Sequence, residues 1–234
     1  MDNNFPGAIV VEAAKYGYPK GTRNNHPVAW VLHTPEEPPD ENPSTPYYFH
    51  NLTDRNASTT YFVAWTGLVF QCVPEDEGAY ANGVEGKPYH LWANSNINLN
   101  LQTLSIEIEG YASSIHLTMP RGSPQWVSLV RLMAHRCKEL GIKPENTIGH
   151  YQVSNQRSDP GMLDINAIVE DINYLLKGDD MTPEQDSRMK RIEKELADIH
   201  MWLFEAGWVV KPPPDIPGNN AGFLAKHAII NNGH

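Results

Sequence analysis

From Leu104 to Glu109 the chain alternates without a break: Leu104, Ile106 and Ile108 take one parity, and Ser105, Glu107 and Glu109 the other. Successive side chains of a strand point to opposite faces, so this is a strand whose apolar face must be covered by another layer. The cover is legible further along. Ser123-Pro124 supplies N-cap and first-turn chemistry for an amphipathic helix that carries Trp126, Val130, Met133 and Cys137 to Leu140 and stops at Gly141. A second helix is predicted over Ile165 to Lys177, with Ile165, Ile168, Val169, Ile172 and Leu176 as its apolar face and Gly178 as its stop. Val28 to Leu32 is apolar, partly β-branched and too short for a helix, which reads as a buried strand. Thr60 to Ala64 and Leu68 to Val73 flank Trp65-Thr66-Gly67 as a β-hairpin. Strands followed by helices, with no internal repeat, predict one α/β layered domain.

Within 234 residues that domain is expected to occupy 1–178, and Asp179-Asp180 reads as a boundary. Residues 179–234 then form an appendage. Thr182-Pro183-Glu184-Gln185 is a capping box that opens a helix over about 183–206. Met189, Ile192, Leu196, Ile199 and Leu203 give it a short heptad seam, suited to docking on the domain or to weak self-association. Lys211-Pro212-Pro213-Pro214 is a stiff linker to a tail rich in Asn and Gly. A net charge of −10 disfavours nucleic acid and anionic membranes as partners. No apolar run reaches the ~18 residues of a membrane span. Met-Asp-Asn-Asn-Phe-Pro lacks the basic and apolar regions of a signal peptide, so synthesis in a cytoplasm without export is expected. Cys72 and Cys137 sit in apolar runs and read as buried thiols.

Chemistry concentrates in Ile148 to Gly161, which sets His150, Arg157 and Asp159 on one short loop closed by a Pro-Gly turn. Imidazole and carboxylate are two of the three protein ligands that a catalytic zinc site needs beside its open position. The third candidate is His33, which ends the apolar Val28–Leu32 run. A histidine at a strand end is more often structural than catalytic; His150 and Asp159 shift that balance. Zinc with an open position brings the pKa of its water to about 7. Glu107 is the candidate base, and Arg157 the candidate cation for an oxyanion. The bland alternative for Glu107 and Glu109 is a solvated strand face. Thr34 to Pro46, acidic and proline-rich, is expected as a surface loop beside the metal, with Thr45-Pro46 opening a short helix. Glu75 to Gln102 reads as a long polar loop whose Tyr80, Tyr89, His90 and Trp92 either line a groove or pack beneath it. His-Glu-x-x-His, Gly-x-Ser-x-Gly and P-loop patterns are absent.

From about Ala8 to Lys177 the chain resembles the zinc-dependent type 2 N-acetylmuramoyl-L-alanine amidases, the fold shared with peptidoglycan recognition proteins and many phage endolysins. The resemblance rests on Val-Leu-His-Thr at His33, the hairpin from Thr60 to Gln71, Ala79-Tyr80-Ala81-Asn82-Gly83, Leu104 to Gly110, and Gly149-His150 with Ser158-Asp159-Pro160-Gly161. The N-terminal tyrosine–glycine loop looks most like endolysins of phages with actinobacterial hosts. The resemblance implies a central mixed β-sheet flanked by helices, with His33, His150 and Asp159 as zinc ligands and Glu107 as the catalytic carboxylate. It further implies that peptidoglycan, both stem peptide and glycan, is the partner and that Tyr80, Asn82, His90 and Trp92 contact it. Arg157 stands where lysine is usual; it keeps the charge but cannot be deprotonated. Thr60, Tyr80 and Asn82 also depart from the family pattern, which bears on substrate preference. The rival readings are a non-catalytic peptidoglycan-binding module and a cytoplasmic amidase that recycles soluble muropeptides.

Overall fold

The alternating stretch becomes β5 (Thr103–Ile108) of a six-stranded sheet. The computed structural model describes residues 5–14, 27–40, 43–83 and 98–177. The other strands are β1 (Ile9–Val10), β2 (Ala29–His33), β3 (Tyr61–Val63), β4 (Val69–Gln71) and β6 (Thr147–Gly149), and the spatial order is β1-β4-β3-β5-β2-β6. Only the β3–β4 hairpin is antiparallel; every other neighbouring pair runs parallel. The mixed sheet flanked by helices is thus as expected.

The two faces sort by parity. Trp30 and Leu32 of β2, Tyr61 and Val63 of β3, and Leu104, Ile106 and Ile108 of β5 enter one large core. That core is closed by α4 (Pro124–Leu140) and α5 (Ile165–Leu176), through Leu129, Leu132, Met133, Ile168 and Ile172. Burying such a side chain contributes roughly 1.5–3 kcal/mol, so this layer carries much of the stability. α4 begins as read: Ser123 Oγ accepts from Trp126 N–H, and Gly141 ends the helix in the left-handed region at φ 71°. Asp164, unremarked in the sequence, caps α5 by accepting from Ala167 N–H. On the opposite face, α1 (Thr45–Asn51) covers the sheet margin through Tyr47 and Phe49.

Several expectations are refined. Ile148 and Gly149 belong to β6, and His150–Gln152 form a 3-10 turn, so His150 ends a strand and does not float in a loop. The end of the long polar stretch folds into α2 (Leu99–Gln102), and α3 (Ile115–Thr118) follows β5. The solvated strand face is overturned: Ser105 and Glu109 are buried and Glu107 is largely so, because loops cover that face. Cys72 and Cys137 are buried free thiols, as read. The tyrosine–glycine loop at 16–21, His90, Trp92, Gly178, the 183–206 helix and the proline linker lie outside the described residues. Among the described residues, no helix is long and apolar enough to cross a membrane.

Candidate active site

Parallel pairing assembles the site. β2 pairs with β5 so that His33 faces Glu107 across the ladder. On its other side β2 pairs with β6 with Leu32 opposite Gly149, which leaves His33 level with His150. Neighbours in register share a face, so Glu107, His33 and His150 form one row at the carboxyl ends of three adjacent parallel strands. Open α/β sheets characteristically present their ligand crevices at that edge. The row lies on the face away from the main core, where Val31, Ile148 and Val153 pack beneath it.

Asp159 closes the group. Tyr151 N–H donates to the Asp159 carbonyl at 3.1 Å, which folds the loop back over the 3-10 turn. Gly161 allows the loop to dock: at φ 66°, a Cβ there would sit 1.9 Å from the Ala112 carbonyl oxygen. His33 Nδ1 and His150 Nδ1 are 3.0 Å apart, and Asp159 Oδ2 lies 3.2 Å from the first and 3.1 Å from the second. A tetrahedral zinc site with bonds of 2.0–2.1 Å has edges of about 3.3 Å. The three ligand atoms therefore already form one near-regular face of such a site. Burial pushes the His33 imidazole below its ordinary pKa, favouring the neutral, ligating ring. Burial raises Asp159, but hydrogen bonds to His150 and His33 outweigh it and keep the carboxylate ionised. Two imidazoles and a carboxylate fit a zinc ligand set.

The surroundings of Glu107 set its proton affinity. Burial, followed by the negative charges of Asp159, Glu37 and Glu36, pushes its carboxyl up to about 8 against a smaller pull from Arg157. Among the described residues its buried Oε2 has no hydrogen-bond partner. Glu36 and Glu37 come from the loop expected beside the metal, and their effect on Glu107 was not foreseen. Glu36 adopts a positive φ of 60°, where its Oε1 accepts from Thr34 Oγ1 at 2.8 Å and Ala112 N–H at 2.9 Å. Glu109 accepts from Asp40 N–H at 2.8 Å and from Trp65 N–H, and joins that loop to the hairpin turn. Arg157 is exposed on the loop before Asp159, and its positive charge acts on Glu107.

The groove residues divide differently from the expectation. Tyr80 is half-buried, and its backbone N–H is held by Ser58 Oγ at 2.9 Å. Asn82, expected to touch substrate, is only 3% exposed, and its side chain turns inward to His33. Thr60 is fully buried in a hydroxyl network with Ser105, so it supports the sheet and does not line a groove.

Residues 23–162, more than half of the chain, match the sequence family described as N-acetylmuramoyl-L-alanine amidase. The chain belongs to this family. The matched region contains every residue of the His33, Glu107, His150 and Asp159 constellation. No curated protein matches the chain. Solved structures of the amidase fold do. A selenomethionine derivative of AmpD superposes with a TM-score of 0.55 at 19% identity, covering 74% of this chain and 97% of that one. A mutant endolysin from Bacillus subtilis gives 0.52 at 16%, over 72% and 99%. The N-acetylmuramoyl-L-alanine amidase LysC from Clostridium intestinale URNW gives 0.50 at 16%, over 72% and 99%. At these identities the likeness is one of fold.

Proposed function

We propose that this amidase-family chain is a zinc enzyme that cleaves the amide joining the lactyl group of N-acetylmuramic acid to L-alanine in peptidoglycan. The observation that carries this reading is the convergence of two imidazole nitrogens and one carboxylate oxygen beside Glu107, whose buried Oε2 has no hydrogen-bond partner among the described residues. His33, His150 and Asp159 would hold the ion. Zinc, when bound, supplies Lewis acidity that polarises a carbonyl and acidifies water. Glu107 takes the proton of the attacking water at its free Oε2 and passes it to the leaving amine of alanine. Arg157 contributes positive charge toward the developing oxyanion from the solvent side. Tyr80, with His90 and Trp92, contacts the glycopeptide.

In the cell the reading is a phage endolysin, made in the cytoplasm of an infected host and acting on the wall after release. The likeness of the N-terminal tyrosine–glycine loop to such enzymes supports it. The test is mass spectrometry of purified peptidoglycan after digestion, with and without a zinc chelator. Free stem peptides beginning in alanine, abolished by chelation and restored by zinc, are the expected result. Intact glycopeptides with the protein pelleting on the wall would replace the reading with that of a binding module. Turnover confined to soluble muropeptides would replace it with that of a recycling amidase.

A further inference from the structure

On the other side of the sheet from the ligand triangle, α4, the end of α5 and the N-terminal segment enclose a cleft of about 430 Å³. Part of its lining is apolar, from Phe5, Leu175 and Leu176. These three pack on the large core and yet stay partly exposed. Arg131, His135 and Lys138 line the cleft from α4. Spacings of four and three residues set them on one face of that helix. The Phe5 ring meets His135 edge-on, with centroids 5.5 Å apart. In a chain of net charge −10 this is an apolar cleft with basic walls. It suits an occupant that is apolar along one face and acidic beside it.

We propose that the chain's own residues from about 183 to 206 dock in this cleft. The segment lies outside the described residues; its sequence and its point of attachment carry the proposal. α5 ends at Leu176, which lines the cleft, so the chain leaves the domain at the cleft itself. Residues 178–182 separate Lys177 from Pro183, and six Cα steps span at most about 20 Å. So short a tether sets an effective concentration on the order of millimolar, which favours this contact over pairing between chains in dilute protein. The heptad seam of Met189, Ile192, Leu196, Ile199 and Leu203 supplies the apolar face. Glu193 and Glu195 take the positions that flank such a seam, where charges choose the partner. Their carboxylates are opposite in sign to Arg131 and Lys138.

The experiment is hydroxyl-radical footprinting, read by mass spectrometry, on the full-length chain in dilute solution, with zero-length carbodiimide cross-linking alongside. Phe5, Leu175 and Leu176 should oxidise several-fold more slowly in the wild type than in the double variant Ile192→Asp, Leu196→Asp, whose seam no longer buries. Leu117 and Met162, exposed at 72% and 67% outside the cleft, should oxidise equally in both proteins. Carbodiimide should join Lys138 to Glu193 or Glu195 within one chain. Lys138→Glu changes an exposed side chain and leaves the core alone, yet it should unmask the same three cleft residues. Adding Glu193→Lys and Glu195→Lys to it should restore their protection, which a merely damaged fold would not do. Equal oxidation of Phe5, Leu175 and Leu176 in the wild type and the seam variant would overturn the proposal. So would cross-links found only between isotopically light and heavy chains in a mixture, which would give the cleft to a second copy.

Discussion

Glu107 sits between two opposing influences, and they give it a measurable signature. Its carboxyl is buried among acidic neighbours on one side and lies next to the ligand triangle on the other. Glu107→Gln keeps the shape and removes the proton acceptor. Zinc binding should persist while turnover of peptidoglycan falls by about 10²–10⁴-fold, the usual worth of general acid–base catalysis. Retained turnover in a zinc-loaded Glu107→Gln protein would shift the base elsewhere, and Glu109 is engaged by two backbone donors. The same residue governs a pH effect in the metal-free protein. Its folded pKa of about 8 lies above the ordinary 4.5, so between those values the native state holds a proton that the unfolded chain has released. Stability contributed at this site is therefore full below about pH 4.5 and is lost as pH rises to about 8. Thermal melts in chelator should show Glu107→Gln gaining on the wild type across that range. A constant offset between the two proteins would contradict the raised proton affinity.

Helix α4 is joined to the sheet by more than apolar contacts. Arg136 donates through Nε to Glu75 Oε1 at 2.9 Å and through Nη2 to Oε2, and Tyr61 Oη donates to Oε1 at 2.6 Å. Both side chains of the ion pair are about 5% exposed or less. At the other end of the helix, Gln125 Nε2 donates to the carbonyls of Val63, the last residue of β3, and Glu109, the residue after β5. Removing one partner of a buried pair leaves an uncompensated charge, at a cost of about 3–5 kcal/mol. Arg136→Met should therefore destabilise by that order in denaturant melts. The double variant Arg136→Met, Glu75→Gln should recover most of the loss, because no buried charge is then left alone. Equal losses in the single and double variants would show that packing of the arginine stem, and not its charge, was what mattered.

At the scale of the whole molecule, the described elements of the layered fold and the ligand triangle lie between Phe5 and Lys177. Among the described residues, α4 and α5 pack on the sheet and form the large core with it. A chain ending at Lys177 should keep the melting temperature of the full protein within a few degrees and bind zinc with the same affinity. A collapse in melting temperature would assign residues after 177 a part in the core. Light scattering on the two forms reports whether the heptad seam of 183–206 associates chains.

How far the chain could be read without its structure follows from the range over which each kind of information acts. Alternation at Leu104–Glu109, the Ser123 cap, the Gly141 stop and the Trp65–Gly67 hairpin are local, and they settle as periodicity and capping chemistry dictate. The ligand types at His33, His150 and Asp159 are likewise legible, because only certain side chains bind zinc, and two of them end or adjoin apolar runs. Strand order is not local. That β2 lies between β5 and β6, in the register that aligns Glu107, His33 and His150, is decided by how the strands pack under α4 and α5. Burial of Glu107 and Glu109 follows from loops folding over a face that alternation alone leaves open to water. Asn82 shows the limit most plainly: it lies 49 residues from His33 and 68 from His150. Its place beside both rings depends on hydrogen bonds to Asn100 and Thr103 that exist only once the fold has closed.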